Sequence, residues 1–386
     1  MFFPPKLFMV FFYMYIPCFF YAVSESGKQA GHKLSGPVSR AVFAIEDARL
    51  AEVPSSQARY RSRSNRLLMT VLDEVRERLR GYPPDRIGVV IGTSSAGIAE
   101  GEAALKYRLH RGAMPPWFHY KQQELGGAAE FAARWLGIRG PAYTVSTSCA
   151  SGAHALVCAG NLLRLKICDA VVAAGVETLS GTTVQGFASL GALSGTRCNP
   201  FSRHRDGTIL GEGAAVFLLT RNFAPLALMG AGMSSDAYHL SAPDPAGRGA
   251  KLAMSRALRE AGLGPQDIGY LNLHGTATGH NDAMEARAVR ALFGDAPPPS
   301  SSTKPLTGHC LGASGAVEAA ICGEALLDLD KPLPRHEWDG CGDPELPALH
   351  FTDGREKINP DKPFCMSNTY AFGGANISLI LGRADL

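Results

Sequence analysis

Runs of consecutive apolar residues alternate along most of the chain with stretches in which apolar residues recur at helical spacing. The apolar runs predict strands at 85–92, 142–145, 169–175, 214–220, 226–232, 268–273 and 377–381. The helical spacing predicts helices at 67–79, 150–166, 251–261 and 312–320. A strand that is apolar on both faces must be covered on both faces, so the pattern predicts an α/β protein whose sheets lie between layers of helices.

The first 22 residues interrupt this pattern with an aromatic, almost uncharged run that contains three prolines and a single basic residue, Lys6. A membrane anchor and a secretory signal are two interpretations of residues 1–22, although the run is short for a span and residues 23–27 form a weak cleavage site. We favour a third interpretation, in which a wrong translational start or a frame change has replaced the native first strand. The sheet of the N-terminal half would then lack one strand, and we set residues 1–30 apart as an atypical segment.

The composition is that of a globular protein with a sizeable core, because 46% of the 386 residues are hydrophobic and 19% are charged. By length alone, the chain corresponds to two or three average domains. The net charge of +3 is too small to indicate nucleic-acid binding. The nine cysteines include no CxxC pair and the histidines no HExxH pattern. We therefore predict no metal site, no disulfide framework and a reducing, cytoplasmic location.

Cys149 lies where the predicted strand at 142–145 changes into a helix. The free N–H groups and the dipole of a helix N-terminus favour an anion, so we expect the pKa of this thiol to be lowered. Small residues follow it and leave room for a substrate. The alternative is a buried structural cysteine, the usual fate of a free thiol, but the motifs described next favour a nucleophile.

Two histidines lie in similar surroundings, each in a Gly- and Thr-rich loop between predicted elements. His274 follows an apolar strand, and His309 precedes a helix of small residues. Lys304 and Glu318 bracket His309, and a buried Lys–Glu pair can fix the orientation and tautomer of an imidazole ring. The alternatives are a solvated loop lysine and histidines that only fill the core. One thiol, two imidazoles and one ammonium together indicate carbon–carbon bond formation on a thioester.

Motifs that carry a family resemblance follow one another along residues 58–386. They are CASGA at 149–153, NPFS at 199–202, RDG at 205–207, LGEG at 210–213, HGT at 274–276, KPLTGH at 304–309 and NTYAFGG at 368–374. Together they resemble the β-ketoacyl-acyl carrier protein synthases, the condensing enzymes of fatty acid and polyketide assembly. Four further segments resemble the subgroup that builds aryl polyene pigments, with ordinary fatty acid synthesis as the rival assignment: RSRSNR at 61–66, WFHYKQQEL at 117–125, SSDAYH at 234–239 and AF at 371–372.

The resemblance implies a thiolase-like fold, a five-layer α-β-α-β-α sandwich of two similar halves that meet near residue 222. We therefore expect an N-terminal half at 31–222 that carries Cys149 and a C-terminal half at 223–386 that carries both histidines. The family is dimeric, which implies either a homodimer or a heterodimer with a chain-length partner that lacks the active cysteine. Acyl carrier protein is the other implied partner. No cofactor is implied, because phosphopantetheine arrives on the carrier.

The resemblance also assigns catalytic roles. Cys149 matches the nucleophile that takes an acyl group from its carrier. His274 and His309 match the pair that binds a malonyl thioester, promotes loss of its carboxylate and stabilises the enolate. Lys304 and Glu318 match the supporting ion pair. The implied reaction is a decarboxylative Claisen condensation that gives a 3-oxoacyl group on the carrier.

Other residues match binding and supporting roles in the family. The backbone N–H groups of Phe372 and Cys149 match an oxyanion hole, for which Gly373 and Gly374 leave room. The remaining matches are Thr276 and Thr278 for the pantetheine arm, Phe201 for the acyl pocket, and Asp282 and Glu285 for the supporting loop.

Arginines cluster just before the helix predicted at 67–79. A solvated basic stretch is the usual explanation for such a run. The resemblance favours instead a docking patch for an acidic carrier protein whose approach is steered by charge. The predicted members are Arg61, Arg63, Arg66 and Arg205.

Two other functions remain as alternatives. A degradative thiolase of the same fold would use a second cysteine, for which Cys310 and Cys365 are the candidates. A non-catalytic subunit that only sets chain length is the other alternative, but such subunits usually lack the nucleophile that Cys149 provides.

Overall fold

The computed structural model describes the backbone of residues 7–15 and the whole of residues 42–384. Its strands are β1 (Leu7–Tyr15), β2 (Ile87–Gly92), β3 (Ala142–Val145), β4 (Ala170–Glu177), β5 (Gly213–Thr220), β6 (Leu226–Ser235), β7 (Ile268–Asn272), β8 (Ser300–Ser301), β9 (Phe364–Tyr370) and β10 (Ala375–Arg383). Its helices are α1 (Arg63–Leu72), α2 (Ile98–Arg111), α3 (Gly127–Leu136), α4 (Ser151–Arg164), α5 (Gly181–Ser189), α6 (Arg248–Ala261), α7 (Gly279–Phe293), α8 (Lys304–Thr307) and α9 (Ser314–Leu327).

The strands follow one another in the order β3-β2-β4-β5-β1-β6-β10-β9-β7-β8. The first five come from the N-terminal half of the chain and the last five from the C-terminal half. In each half, parallel pairs lie at the outer side: β2 is parallel to β3 and β4, and β7 is parallel to β8 and β9. Antiparallel pairs, such as β4 with β5 and β6 with β10, lie toward the middle. Residue 222 lies between β5 and β6, and the division of the chain there stays a prediction.

Three hydrophobic clusters define the layers. In the largest cluster, α4 and α9 pack together between the strands of the two halves. In the second, α1 and α3 cover the outer face of β2, β4 and β5. In the third, α6 and α7 cover the outer face of β7, β9 and β10. These layers match the α-β-α-β-α sandwich predicted from the sequence.

The expectation that the N-terminal half lacks a strand is wrong. The backbone of Leu7–Tyr15 lies between β5 and β6. It pairs antiparallel with β5, from Phe8 opposite Thr220 to Tyr15 opposite Ala214, and its first residues also pair with β6. A continuous apolar run is what a strand inside a covered sheet requires, so this part of the sequence also fits an interior strand.

The membrane and signal interpretations of residues 1–22 concern a segment of which the structure describes only 7–15. The proposed cleavage site at 23–27 lies outside the described residues. Among the residues that are described, no helix combines the length and the apolar character needed to cross a membrane.

The fold brings the predicted catalytic residues together from four connections. Cys149 lies between β3 and α4, and His274 lies just after β7. His309 follows α8, and Phe372 lies in the turn between β9 and β10. All four line one cavity where the two halves meet.

Candidate active site

The turn that carries Cys149 has an unusual backbone, which a serine side chain holds in place. Ser148 has φ of 50°, in the left-handed region that residues other than glycine rarely adopt. The hydroxyl of Ser151 accepts the N–H of Thr147 at 2.9 Å and donates to the carbonyl of Ser148 at 2.6 Å. Since α4 begins at Ser151, this closed turn holds the thiol at the N-terminus of the helix.

The thiol of Cys149 faces an imidazole ring from the other half of the chain. Its Sγ lies 3.2 Å from Nε2 of His309, and both residues are buried. The other ring nitrogen, Nδ1, lies 3.0 Å from the hydroxyl of Ser314, the first residue of α9. Because a hydroxyl both donates and accepts, Ser314 can hold either neutral tautomer of this ring.

The second imidazole, His274, is fixed by a buried lysine. The Nζ of Lys304 lies 3.2 Å from Nδ1 of His274 and donates to its carbonyl oxygen at 2.5 Å. Lys304 also forms an ion pair with Glu318, and both side chains are fully enclosed. An ammonium group only donates, so Nδ1 accepts and the proton of the neutral ring lies on Nε2. The ring packs edge to face against that of His309, with 5.4 Å between centroids.

Two buried carboxylates of α7 brace the loop that follows His274. Glu285 accepts the N–H groups of His274 and Gly275, each at 2.8 Å. Asp282 accepts the N–H of Ala277 at 3.2 Å. The structure therefore places both predicted supporting acids where they hold backbone, out of contact with the thiol.

Burial determines the protonation state of the two histidines. Burial, and next the charge of Lys304, lower the pKa of His274 and of His309 well below their ordinary values. Both rings are therefore neutral near pH 7. Burial has the opposite effect on an acid, because it disfavours the carboxylate. It raises the pKa of Glu318 to about 7, although the nearby Lys304 acts to lower it.

The expected lowering of the Cys149 pKa is wrong. Burial raises the pKa of this thiol to about 12, although Lys304 and the N–H of Phe372 oppose the rise. Desolvation of a sulfur anion outweighs the attraction of the helix N-terminus that the sequence suggested. Near neutral pH the sulfur is a thiol, and the neutral ring of His309 is the base within reach.

Cys149, His274 and His309 share a cavity of about 530 Å³. Phe372 lies on its wall with its N–H facing the thiol, and its ring stacks on that of Phe187 at 5.3 Å between centroids. The two residues after Phe372 are the predicted glycines 373 and 374, with φ of 85° and 79°. Only glycine adopts such values readily, so this turn can present its backbone to a ligand.

Of the predicted binding residues, the two threonines line the cavity and Phe201 does not. The hydroxyls of Thr276 and Thr278 lie 3.0 Å apart on its wall. Phe201 is buried behind the His274 loop, where its ring packs 5.3 Å from that of Phe351. Its N–H donates to Asp282 at 2.7 Å. The structure thus packs Phe201 into the core behind this loop, and its predicted place beside an acyl pocket stays a prediction.

Residues 24–224 match the sequence family described as Beta-ketoacyl synthase, N-terminal domain, and residues 226–328 match Beta-ketoacyl synthase, C-terminal domain. The chain belongs to the β-ketoacyl synthase family. It is 35% identical over 322 residues to 3-oxoacyl-[acyl-carrier-protein] synthase 2 of Coxiella burnetii. The aligned region covers 77% of this chain and 75% of the relative.

Solved structures of synthases agree. One is a ketosynthase (ApeO) in complex with its chain length factor (ApeC) from Xenorhabdus doucetiae, similar at 39% identity with a TM-score of 0.89 over 98% of both chains. A β-ketoacyl synthase from Burkholderia phymatum is similar at 29% identity with a TM-score of 0.76, over 89% of this chain and 88% of the other. The predicted condensing acyltransferase with the thiolase-like fold is confirmed.

Glu177 is a buried acid of this synthase that sequence reasoning missed. It ends β4 and accepts the N–H groups of Ser94 at 2.7 Å, Ser95 at 3.0 Å and Gly312 at 3.0 Å. It therefore ties the loop after β2 to the turn that follows His309. A lone acid at the end of an apolar strand is the sequence signal that could have revealed it.

The ion pairs of Arg63 argue against the docking role predicted for it in the synthase, which stays a prediction. Its Nε and Nη2 each lie 2.7 Å from the carboxylate of Glu212, whose side chain is 2% exposed. Glu212 also accepts the N–H of Ile45 at 2.9 Å and that of Leu179 at 3.1 Å. Arg63 therefore neutralises an internal carboxylate that joins separate segments, and it offers no free charge to a partner.

Two further arginines of the predicted docking patch are also paired. Arg66 lies 2.5 Å from Glu52, and Arg205, whose side chain is 11% exposed, lies 2.6 Å from Asp343. The pair of Arg66 lies at the surface, because the Glu52 side chain is 74% exposed, and the docking role of both arginines stays a prediction. Arg61 is exposed, so its predicted role stays open.

Metal-ligating atoms come together outside the cavity in His204, Asp339 and Cys341, all within 4.8 Å of one another. Asp339 already accepts hydrogen bonds from Asn199 at 2.9 Å and Ser202 at 3.1 Å, so it fastens two loops. The prediction of no metal site stays a prediction.

Proposed function

We propose that the chain joins an acyl group held on Cys149 to malonyl-acyl carrier protein by decarboxylative Claisen condensation, which gives a 3-oxoacyl-acyl carrier protein. The observation that carries this proposal is the 3.2 Å approach of the Cys149 Sγ to Nε2 of His309, in a cavity that His274 also lines. A thiol, a neutral base and a second N–H donor around one cavity are what the two half-reactions need.

In the first half-reaction, Sγ of Cys149 attacks the carbonyl carbon of the acyl thioester while its proton passes to Nε2 of His309. The tetrahedral oxyanion accepts the N–H of Phe372 and that of Cys149, and a fixed donor of this kind is worth about 3–4 kcal/mol. The bond to the carrier's sulfur then breaks, and the leaving thiolate takes the proton from His309. The acyl group stays on Cys149, which divides a difficult condensation into two steps.

In the second half-reaction, the malonyl thioester loses its carboxylate as carbon dioxide. The electron pair of the broken C–C bond moves into the thioester, whose oxygen accepts N–H groups from the neutral rings of His274 and His309. The enolate carbon then attacks the acyl carbonyl on Cys149 and releases the sulfur as thiolate, which takes up one proton from solvent. Since these neutral imidazoles supply the stabilisation, we propose no resident cofactor beyond the phosphopantetheine of the carrier.

The remaining site residues act by position in this proposal. Lys304, neutralised by Glu318, holds His274 in the tautomer that donates from Nε2. Thr276 and Thr278, which line the cavity, would hold the amide groups of the pantetheine arm.

The two alternative functions receive less support from the site. A thiolase needs a second thiol near the first, but among the described residues that line the cavity Cys149 is the one cysteine. Cys310 directs its thiol toward the carbonyl of Glu212 at 3.5 Å, and Cys365 is buried within β9. A non-catalytic partner subunit does not need a nucleophile in contact with a base, so the Cys149–His309 contact argues against that alternative.

We also propose that the synthase forms a heterodimer with a chain length factor, as the ketosynthase of Xenorhabdus doucetiae does. The segment after α2 supports a partner, because large apolar side chains are exposed there. Met114 is 44% exposed and Trp117 is 50% exposed. β3 lies at the end of the sheet, and an uncovered edge strand is a place where another chain can pair. A homodimer is the second candidate.

For the acyl carrier protein, the basic end of α2 offers a better docking site than the arginines before α1. Lys106, Arg108 and Arg111 are all exposed there, and none has an ion-pair partner among the described residues. Their charge would steer an acidic carrier toward the synthase.

For the pathway, we propose aryl polyene synthesis in the cytoplasm, on the resemblance of the four segments described above. Fatty acid synthesis and other polyketide assembly are the rival pathways. Incubation of the purified protein with malonyl-carrier and a panel of aromatic and saturated acyl-carriers, with products identified by mass spectrometry, separates these pathways.

The central proposal is tested by intact-protein mass spectrometry after incubation with an acyl-carrier. The wild type should gain the mass of the acyl group and Cys149→Ala should not, whereas Cys158→Ala, a change at a half-buried cysteine, should behave like the wild type. An acyl adduct on Cys149→Ala would remove Cys149 from its role. Malonyl decarboxylation at the wild-type rate in His309→Ala would remove His309 from the second step.

A further inference from the structure

A second cleft, of about 1000 Å³, lies behind α8 and shares no lining residue with the Cys149 cavity. Its walls come from α8, α9 and two later segments at 331–335 and 353–355. Ligand sites of small molecules usually have volumes of about 300–1000 Å³ and lie between elements, as this cleft does. The proposed reaction leaves the cleft without a role.

The inner wall of the cleft is apolar. Leu306 contributes from α8, Ile321 and Ala325 from α9, and Leu333 with its neighbouring prolines from the segment that follows. A straight hydrocarbon chain would remove this surface from water, which is favourable by about 25 cal/mol per Å² buried.

The rim of the cleft carries cations that are weakly paired or unpaired. Arg355 is exposed and has no ion-pair partner among the described residues. Arg335 has one acid, Glu337, at 3.5 Å. Lys331 has two acids at 3.9 Å, Glu324 and Asp328. Glu324 and Asp353 also line the cleft, so its three cations outnumber its two acids. The planar fork of an arginine matches a carboxylate bidentately, so the two arginines suit the head group of an amphiphile with a carboxylate end.

A polar group without a partner lies in the floor of the cleft. The hydroxyl of Thr303 is buried, the residue being 1% exposed, and it has no hydrogen-bond partner within the described part of the chain. Such groups are rare in folded proteins. A hydrocarbon chain offers this hydroxyl no hydrogen bond, so Thr303 lines the cleft without selecting the ligand.

The floor of the cleft is also the rear of the ion pair that holds His274. Thr303 directly precedes Lys304, and Ile321 lies one helical turn after Glu318 on α9. A molecule that presses on Thr303 and Ile321 therefore contacts both elements whose side chains fix the ring.

We propose that this cleft binds a straight acyl chain that ends in a free carboxylate, and that its occupation changes the rate of malonyl decarboxylation through Lys304 and Glu318. The binding part of this proposal is independent of the catalytic role; the effect on decarboxylation rests on the proposed function.

Binding is tested with a hexadecanoic acid that carries a photoreactive diazirine near its methyl end. After irradiation, the label should lie on peptides that contain Ile321, Ala325 or Leu333. Unlabelled hexadecanoate should compete, while hexadecanol, which has the same chain without the charge, should compete about tenfold less well. Labelling confined to peptides of the Cys149 cavity, or equal competition by the alcohol, would overturn the proposal.

Variants at the cleft separate its occupation from general hydrophobic binding. Arg355→Glu should weaken labelling about tenfold, while Lys357→Glu, the same charge change at an exposed residue outside the cleft wall, should leave it unchanged. Ala325→Trp should fill the cleft and abolish labelling. A tryptophan at this buried position can disturb folding, so the comparison of Arg355→Glu with Lys357→Glu decides whether the cleft is the binding site. Equal labelling in these two variants would refute the site.

The effect on catalysis is measured as malonyl-carrier decarboxylation with and without hexadecanoate. The acid should change the wild-type rate and leave the rate of Arg355→Glu unaffected. Labelling of the cleft without any change in rate would refute the coupling to Lys304 and Glu318 while leaving the binding site in place. A protein that shows no decarboxylation at all but still labels at Ile321 would instead count against the proposed function.

Discussion

The Sγ atom of Cys149 and the Nε2 atom of His309 lie 3.2 Å apart, and neither group carries a charge near neutral pH in the resting site. Burial raises the pKa of the thiol to about 12 and lowers that of the imidazole well below its ordinary value. The nucleophilic thiolate therefore forms only when substrate is bound, by proton transfer from Cys149 to His309, and the resting enzyme holds the neutral thiol. This differs from reactive cysteines whose low pKa keeps them ionised.

The first prediction concerns alkylation of Cys149 by iodoacetamide. Because only the thiolate reacts, the rate at Cys149 should rise about tenfold per pH unit from pH 6 to 9 without reaching a plateau. The rate is measured by mass spectrometry of the peptide that contains Cys149. A short peptide with one cysteine, whose thiol has a pKa of about 8.5, serves as the control whose rate begins to level off in the same range. A plateau at Cys149 below pH 7 would show a resting thiolate and contradict this account.

The second prediction concerns Ser314, whose hydroxyl lies 3.0 Å from Nδ1 of His309. The ring must accept a proton at Nε2 in acyl transfer and donate one there in decarboxylation, so Nδ1 must change its role as well. Ser314→Ala should therefore slow both half-reactions about ten- to hundredfold, as loss of the partner of an oriented histidine does elsewhere. Acylation of Cys149 and malonyl decarboxylation are measured separately. Ser189→Ala, at an exposed serine of α5, is the matched control; a loss of only one half-reaction in Ser314→Ala would contradict the tautomer role.

Sequence reasoning reached the catalytic set because each member lies in a local motif. Cys149 lies at a strand-to-helix change and His274 at the end of an apolar strand, so their neighbours made them candidates, and the family resemblance assigned their roles. Seven of the ten described strands were predictable for the same reason: apolar periodicity is local, and it placed β3 at the residues where the structure has it. The strands β1, β8 and β9 were not predicted.

What the sequence left hidden depends on contacts between distant segments. Arg63 and Glu212 are far apart in the chain, so the sequence gives no sign that they form an ion pair. The pKa of Cys149 depends on how completely the two halves enclose it, which no local pattern records. Residues 7–15 were ambiguous because an interior strand and a membrane segment share the same apolar composition.

The third prediction is a pH dependence of stability caused by Glu285. Burial raises its pKa from 4.5 to about 8 in the folded protein. A raised carboxyl pKa means that the folded state prefers the protonated form, so this residue contributes most below pH 4.5 and its contribution is lost as the pH rises through 8. Between pH 5 and 8, the free energy of unfolding of the wild type should therefore fall relative to that of Glu285→Gln by up to about 1.4 kcal/mol per pH unit. Urea unfolding at several pH values measures the unfolding free energy of both proteins. If the value for the wild type minus the value for Glu285→Gln stays constant or rises with pH, the pKa of Glu285 is not raised.

The fourth prediction is that Arg63 supports stability and not docking. Arg63→Leu leaves the carboxylate of Glu212 buried without its charge partner, which should cost about 3–5 kcal/mol of unfolding free energy. Arg66→Leu removes a partner of the exposed Glu52, whose side chain is 74% exposed, and should cost only about 1 kcal/mol or less. Denaturant unfolding compares the two variants. An Arg63→Leu protein of wild-type stability with a raised KM for the carrier would restore Arg63 to the docking patch.

The fifth prediction places the carrier protein at the basic end of α2. Arg108 and Arg111 are exposed and lack an ion-pair partner among the described residues, so their charges are available to an acidic partner. Reversal of both to glutamate should raise KM for the acyl carrier about tenfold at low salt and leave kcat for a small thioester substrate unchanged. In the wild type, KM should rise with ionic strength because salt screens the attraction between the two proteins. In the double variant this attraction is gone, so KM should depend less on ionic strength. The double reversal of Lys251 and Arg259, two exposed cations of α6 on the outer layer of the other half, makes the same change in net charge. If both double variants raise KM equally, net charge alone governs the encounter, and α2 is not the docking site.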